Sequence, residues 1–315
     1  ALPIYHYDSA LYAFLAPFLA PVFFPNTEPV MALILTYGIK SAGFFTRPAG
    51  AILFGHLTRK YCVKTLLSFT LCGVSISTVL IAFIPTYASI GILAPISIAL
   101  LRASLGFFAA AEHTIASLFI LEQLKQNSSQ AKASSYYQFS TMMGTLLASI
   151  AAWLVSASPD PNFYWRIAFL FGILTGTLGL FLRSQIQDYK ISKSEEYADK
   201  KSLKVLIDYK WKIFKIVPIS SFTFVTYSIP FIFLNNVAPE ITNVKLQDLL
   251  MFSTILVTIN NLLIPVFGHL VTKFDITKDY AKQNPCANFA HSFASTTNAN
   301  WLLIGFLIFQ NDFDS

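Results

Sequence analysis

Six charged side chains stand inside or at the ends of long apolar runs: Asp8, Lys40, Arg47, Arg102, Glu112 and Arg166. An ionised group at the centre of a membrane helix costs about 2.5–3.5 kcal/mol or more, so each needs a partner or a task. Arg102 and Glu112 share one run, about 15 Å apart and about 80° apart around a helix. They point to different neighbours, as structural ties between helices or as polar groups of a substrate or proton path. Gly106 and Ala110 between them form a small-residue seam where another helix can come close. Asp8 is followed by Leu11, Tyr12 and Phe14, and two roles stay open for it: a helix cap at the membrane surface, or a polar group in a path. Arg47-Pro48 sets a cation beside a helix break, where a freed carbonyl or a carboxylate is in reach. An aromatic cage for a quaternary ammonium is conceivable among so many rings, but no spacing marks one.

No catalytic set accompanies these charges. There is no Gly-x-Ser-x-Gly, His-Glu-x-x-His or Gly-x-x-x-x-Gly-Lys-Ser/Thr, so the chain is not expected to be an enzyme. Without a nucleotide site, a coupled gradient is the remaining energy source for moving a solute. Cys62, Cys72 and Cys286 lack metal-ligand spacing, and neither metal nor cofactor is expected.

The elements that must hold these charges are membrane helices. Of 315 residues, 55% are hydrophobic and 12% charged, against about 25% charged in soluble domains. The net charge of +6 lies in the gaps between apolar runs and forms no basic face, which argues for a lipid bilayer as partner and against nucleic acid. Eight spans are expected, at about 9–25, 31–56, 65–84, 91–121, 136–156, 165–183, 213–235 and 247–270. The long hydrophilic stretch after the sixth divides the chain into a six-helix bundle (1–184), a cytoplasmic linker (185–212) and a partial second bundle (213–315). Lys and Arg in alternate gaps count seventeen against one, which predicts a cytoplasmic N-terminus and an inner (plasma) membrane location. Phe54-Gly55-His56-Leu57 and Phe267-Gly268-His269-Leu270 end the second and eighth spans, a parallel repeat of the kind found in one class of secondary transporter. His56 and His269 read as boundary residues or, less simply, as proton relays. Residues 283–300 are rich in Asn, Ser, Thr and Ala, and the run Trp301 to Phe309 is too short to span. The second bundle is therefore expected to be incomplete.

Several stretches in order resemble the major facilitator superfamily, and within it the metabolite:proton symporters that include proline/betaine transporters. They are Tyr7-Asp8-Ser9-Ala10-Leu11-Tyr12, Phe44-Phe45-Thr46-Arg47-Pro48-Ala49-Gly50, Phe54-Gly55-His56-Leu57, the set Arg102, Gly106 and Glu112, and Trp165-Arg166-Ile167-Ala168-Phe169-Leu170 with Gly179 and Arg183. The resemblance covers most of residues 5–185 and, more loosely, runs to about 273. It implies an all-α membrane protein with the major facilitator fold, working by alternating access on a proton or other cation gradient. The implied substrate is a small zwitterionic osmolyte or organic-acid metabolite such as proline or betaine. By position it implies Asp8, Tyr12, Arg47, Arg102 and Glu112 as the substrate and proton path, and Gly55, Arg59, Lys60 and Lys64 as the cytoplasmic gate loop.

The gate loop departs from the family pattern. Arg59 stands where a carboxylate is expected, Cys62 where a turn glycine is expected, and Val63 where a basic residue is expected. A side chain at Cys62 costs about 1 kcal/mol or more if φ there is positive. Leu105 and Ala110-Ala111 depart similarly in the fourth span. Together with the short second bundle, these changes make a truncated, non-transporting membrane protein that keeps the fold (a remnant or an assembly partner) the alternative expectation.

Overall fold

The computed structural model describes residues 2–58, 60–124, 130–185, 211, 214, 239 and 244–273. The described elements are helices: α1 (Leu2–Phe14), α2 (Ala16–Phe23), α3 (Pro29–Leu57), α4 (Val63–Ala82), α5 (Tyr87–Ile90), α6 (Leu93–Leu124), α7 (Gln130–Ser156), α8 (Pro161–Ser184) and α9 (Leu246–Lys273). Six of them are long and apolar enough to cross a bilayer, namely α3, α4, α6, α7, α8 and α9. Expected spans two to six and eight are thus present. The seventh span, most of the linker, Arg59 and the chain beyond 273 lie outside the described residues.

The first span differs from expectation. It starts at Leu2 instead of residue 9, and it is broken at Leu15 into α1 and α2. Pro17 accounts for the break: it has no N–H to donate, and its ring crowds the carbonyl four residues back, which belongs to Ala13. The Tyr37 hydroxyl of α3 donates to that carbonyl at 3.4 Å. In series, α1 and α2 run about 33 Å at 1.5 Å per residue, a full crossing.

α1 is the hub of the bundle. Residues Leu11 to Ala16 are shielded on every side, as expected of a helix that is apolar all round. It packs against α7 and α8 and touches α3, α4 and α6. Tyr7, Phe14, Leu19, Phe23, Trp165 and Phe169 form the largest part of its core. The outer faces remain apolar: Phe45 is 84% exposed and Leu100 66%. A surface like this fits hydrocarbon as its solvent, not water.

α3 and α6 come together backbone to backbone. A Cβ at Gly106 would collide with the backbone of Gly43, and one at Gly50 with the Phe107 carbonyl. One at Gly43 would lie 2.9 Å from the Arg102 carbonyl oxygen. The seam expected at Gly106 is therefore where the helices bearing Lys40, Arg47 and Arg102 meet. α9 packs on α7, and its Val257 meets Ala13 of α1 beside Tyr37 and Leu146.

In the α3–α4 connection, Cys62 has φ −66° and ψ 145°, extended backbone open to any residue. The cost expected from a side chain at a turn glycine is absent, because φ is negative; among the described glycines only Gly91 has positive φ (58°). Cys62→Gly is accordingly expected to destabilise the protein by about 0.5–1 kcal/mol through the looser unfolded chain. Thermal unfolding in detergent checks this; a clear gain in stability would show the loop needs glycine after all.

Candidate functional site

The site centres on a buried ion pair. Arg102 lies inside the candidate span of α6, nine residues from its start, and its Nη1 donates to Asp8 Oδ2 at 2.7 Å. The two side chains are 3% and 1% exposed. Asp8 is therefore not a cap at the membrane surface. The helix starts six residues before it, which places it inside the bundle facing α6. The Arg102 guanidinium also lies over the Tyr12 ring at 4.0 Å and near the Phe169 ring at 5.9 Å, so aromatic faces share in its desolvated charge. Tyr12 in turn donates its hydroxyl to the Thr36 carbonyl of α3 at 3.2 Å. Arg102 Nε and Nη2 are buried and have no acceptor among the described residues.

Two more cations stand on α3, one on either side of Gly43, whose Cβ position abuts the Arg102 carbonyl. Lys40 and Arg47 are seven residues apart, two helical turns along one face. Lys40 is half-buried and within electrostatic reach of Asp8 and Arg102. It makes no ion pair among the described residues, where the pairs are those of Asp8 and Glu112. Among the described residues Arg47 bonds no carboxylate. Its guanidinium sits over the rings of Phe44 (4.5 Å) and Tyr5 (5.3 Å).

A second ion pair lies about 15 Å further along α6. Glu112 is paired with Arg183, near the end of α8, and the Thr70 hydroxyl of α4 donates to its other oxygen at 3.3 Å. Glu112 and Arg102 indeed face different helices. Beside this pair, Lys64 in the first turn of α4 donates to the Ser184 carbonyl at 3.0 Å, a cation at a helix C-terminus where the dipole favours it. The three helices α4, α6 and α8 are thus tied at one end of the bundle. Arg166 ties the opposite end, donating to the Ile84 carbonyl at 3.2 Å while lying over Trp165.

Of the residues expected in the path, Asp8, Tyr12 and Arg102 come together, Arg47 lies two turns along α3 from Lys40, and Glu112 stands in the separate pair. In the expected gate loop, Gly55 belongs to the last turn of α3, Lys60 is exposed in the connection, and Lys64 opens α4. His56 and His269 are both exposed. Sequence reasoning missed Arg183 and Thr70 as partners of Glu112, and left Lys40 unassigned. The signal for Arg183 was present: a cation completing the last turn of an apolar run near the level of an intramembrane carboxylate.

This chain belongs to the Major Facilitator Superfamily, whose family model matches residues 9–309. It is 34% identical to the proline/betaine transporter of Salmonella typhimurium over 186 residues and 33% identical to that of Escherichia coli K12. It is 32% identical to the glycine betaine/proline/ectoine/pipecolic acid transporter OusA of Dickeya dadantii. In each case the match covers 58% of this chain and 37% of the relative, so the chain spans little more than a third of the curated relatives it matches. In fold it is similar to a D-xylose–proton symporter (TM-score 0.61, 16% identity, 95% of this chain and 77% of that one). It is also similar to the partially occluded, inward-open xylose transporter XylE of E. coli (TM-score 0.64, 16% identity, 96% and 84%). The all-α major facilitator fold and the multi-pass membrane location are therefore established.

Proposed function

We propose that this protein is a secondary transporter that carries a small zwitterionic osmolyte or organic-acid metabolite together with a proton by alternating access. The observation that carries the proposal is the Asp8–Arg102 pair, sealed between α1 and α6. A desolvated carboxylate whose charge is balanced by one hydrogen-bonded guanidinium can take up a proton when that bond is broken, which links protonation to helix movement. Tyr12 and Arg47 complete the polar face of the path. The Glu112–Arg183–Thr70 cluster with Lys64 forms a clasp at the cytoplasmic end, in line with the excess of Lys and Arg there and an N-terminus on that side. Residues 1–184 act as the first bundle, 185–212 as the linker, and α9 as part of the second.

The test is uptake into proteoliposomes with an imposed pH gradient, using proline, glycine betaine and simple carboxylates as solutes. Gradient-dependent accumulation is expected, and Arg102→Ala is expected to reduce it to background. A well-folded preparation that accumulates none of these solutes would overturn the proposal and favour a non-transporting membrane protein.

A further inference from the structure

The site is unbalanced in charge. Among the described residues within about two helical turns of the pair, α3 and α6 contribute three cations (Lys40, Arg47 and Arg102), against one carboxylate, Asp8. Arg47 is compensated by two aromatic faces and Arg102 by Asp8. Among the described residues Lys40 has neither kind of partner, and it is half-buried, as Arg47 is, so the missing partner and not exposure sets it apart.

Hydrogen bonding is unbalanced in the same sense. Arg102 Nε and Nη2 form one edge of the guanidinium fork, and neither has an acceptor among the described residues. Closing the Asp8 pair into a two-bond arrangement would employ Nη2 and the unpaired Asp8 Oδ1, yet Nε and the Lys40 ammonium would stay unmatched. What the cluster lacks is a planar acceptor carrying negative charge, which a carboxylate supplies.

The aromatic rings bear on the other half of a substrate. A quaternary ammonium is held by ring faces, but Tyr12 and Phe169 flank Arg102, while Tyr5 and Phe44 flank Arg47. The rings of this cluster are already engaged by the protein's own cations. A fixed positive charge on the substrate would meet surplus positive charge in a low-dielectric setting.

We infer that Lys40, with the Nε–Nη2 edge of Arg102, is the carboxylate-binding subsite, and that it selects organic carboxylate anions over betaine-type zwitterions. This rests on the transport reading and narrows its substrate class.

Binding to the full chain in lipid nanodiscs, followed calorimetrically, tests it without any gradient. The probes are succinate, its uncharged diamide, and glycine betaine. Succinate is expected to bind about tenfold or more tightly than either of the others. Lys40→Gln, which leaves the Asp8–Arg102 pair in place, is expected to weaken succinate about tenfold and to leave betaine unchanged or stronger. Lys40→Arg is expected to restore most of the preference, and unfolding temperatures confirm that both variants are folded. Betaine or the diamide binding as well as succinate would overturn the inference, as would absence of succinate binding or a Lys40→Gln variant with unaltered preference. These outcomes are separable from failure of transport itself: gradient-driven uptake of a zwitterion alone would sink this inference and leave the carrier standing.

Discussion

Asp8→Asn is expected to lower the unfolding free energy by about 3–5 kcal/mol, the cost of leaving a buried cation without its carboxylate. Arg102 cannot escape the cost by reorienting to water, since its side chain is 3% exposed inside a span. The Tyr12 and Phe169 faces remain and recover part of the loss, about 0.5–2 kcal/mol. The double variant Asp8→Asn/Arg102→Gln carries no uncompensated charge, so it is expected to lie within about 2 kcal/mol of the parent. It is nonetheless expected to abolish gradient-driven uptake, because both the proton acceptor and its counter-charge are gone. Denaturant unfolding in detergent measures the cycle, and proteoliposome uptake measures the second consequence. A single variant as stable as the double would mean the pair carries no coupling, and the polar centre would have to be sought elsewhere.

The membrane helices were legible because the signal is composition over about 20 residues, which does not depend on tertiary contacts. The divergence of Arg102 and Glu112 was legible too, since two residues of one helix have a relative angle fixed by helix geometry. Their partners were not. Asp8 lies 94 residues from Arg102, and Arg183 lies 71 from Glu112; which helices pack side by side is set by shape, and no local pattern states it. Arg183 was also disguised by its place at the end of a run, where a cation reads equally well as juxtamembrane. The cap reading of Asp8 failed because helix α1 begins earlier than its apolar run, with Tyr5, His6 and Tyr7 carrying the helix beyond the strictly apolar segment. The break at Leu15 was marked by Pro17, but a proline in a membrane helix also permits a continuous one, as Pro48 in α3 and Pro265 in α9 demonstrate.

The geometry of the polar cluster depends on how closely α3 approaches α6, and that distance is set by glycine. Gly106→Leu is expected to destabilise the protein by about 3 kcal/mol or more. Overpacking of a tight contact typically costs about 1–3 kcal/mol, and here the first added carbon already meets the Gly43 backbone. Backbone is the worst neighbour to displace, for no rotamer change relieves it. To admit the side chain the two helices must separate, and Gly43, which sits against the Arg102 carbonyl, is carried away with α3. Lys40 and Arg47 then move off Arg102, so the variant should also lose solute binding at temperatures where it remains folded. Gly38 and Gly55 are the controls: nothing lies within 4 Å of a Cβ at either position, and both are helical. Gly38→Ala and Gly55→Ala are expected to be neutral or to stabilise by up to about 1 kcal/mol through helix propensity. Equal effects at Gly106 and Gly38 in thermal unfolding would mean that the α3–α6 contact is looser than the backbone geometry requires, and that the cation cluster is not held in place by it.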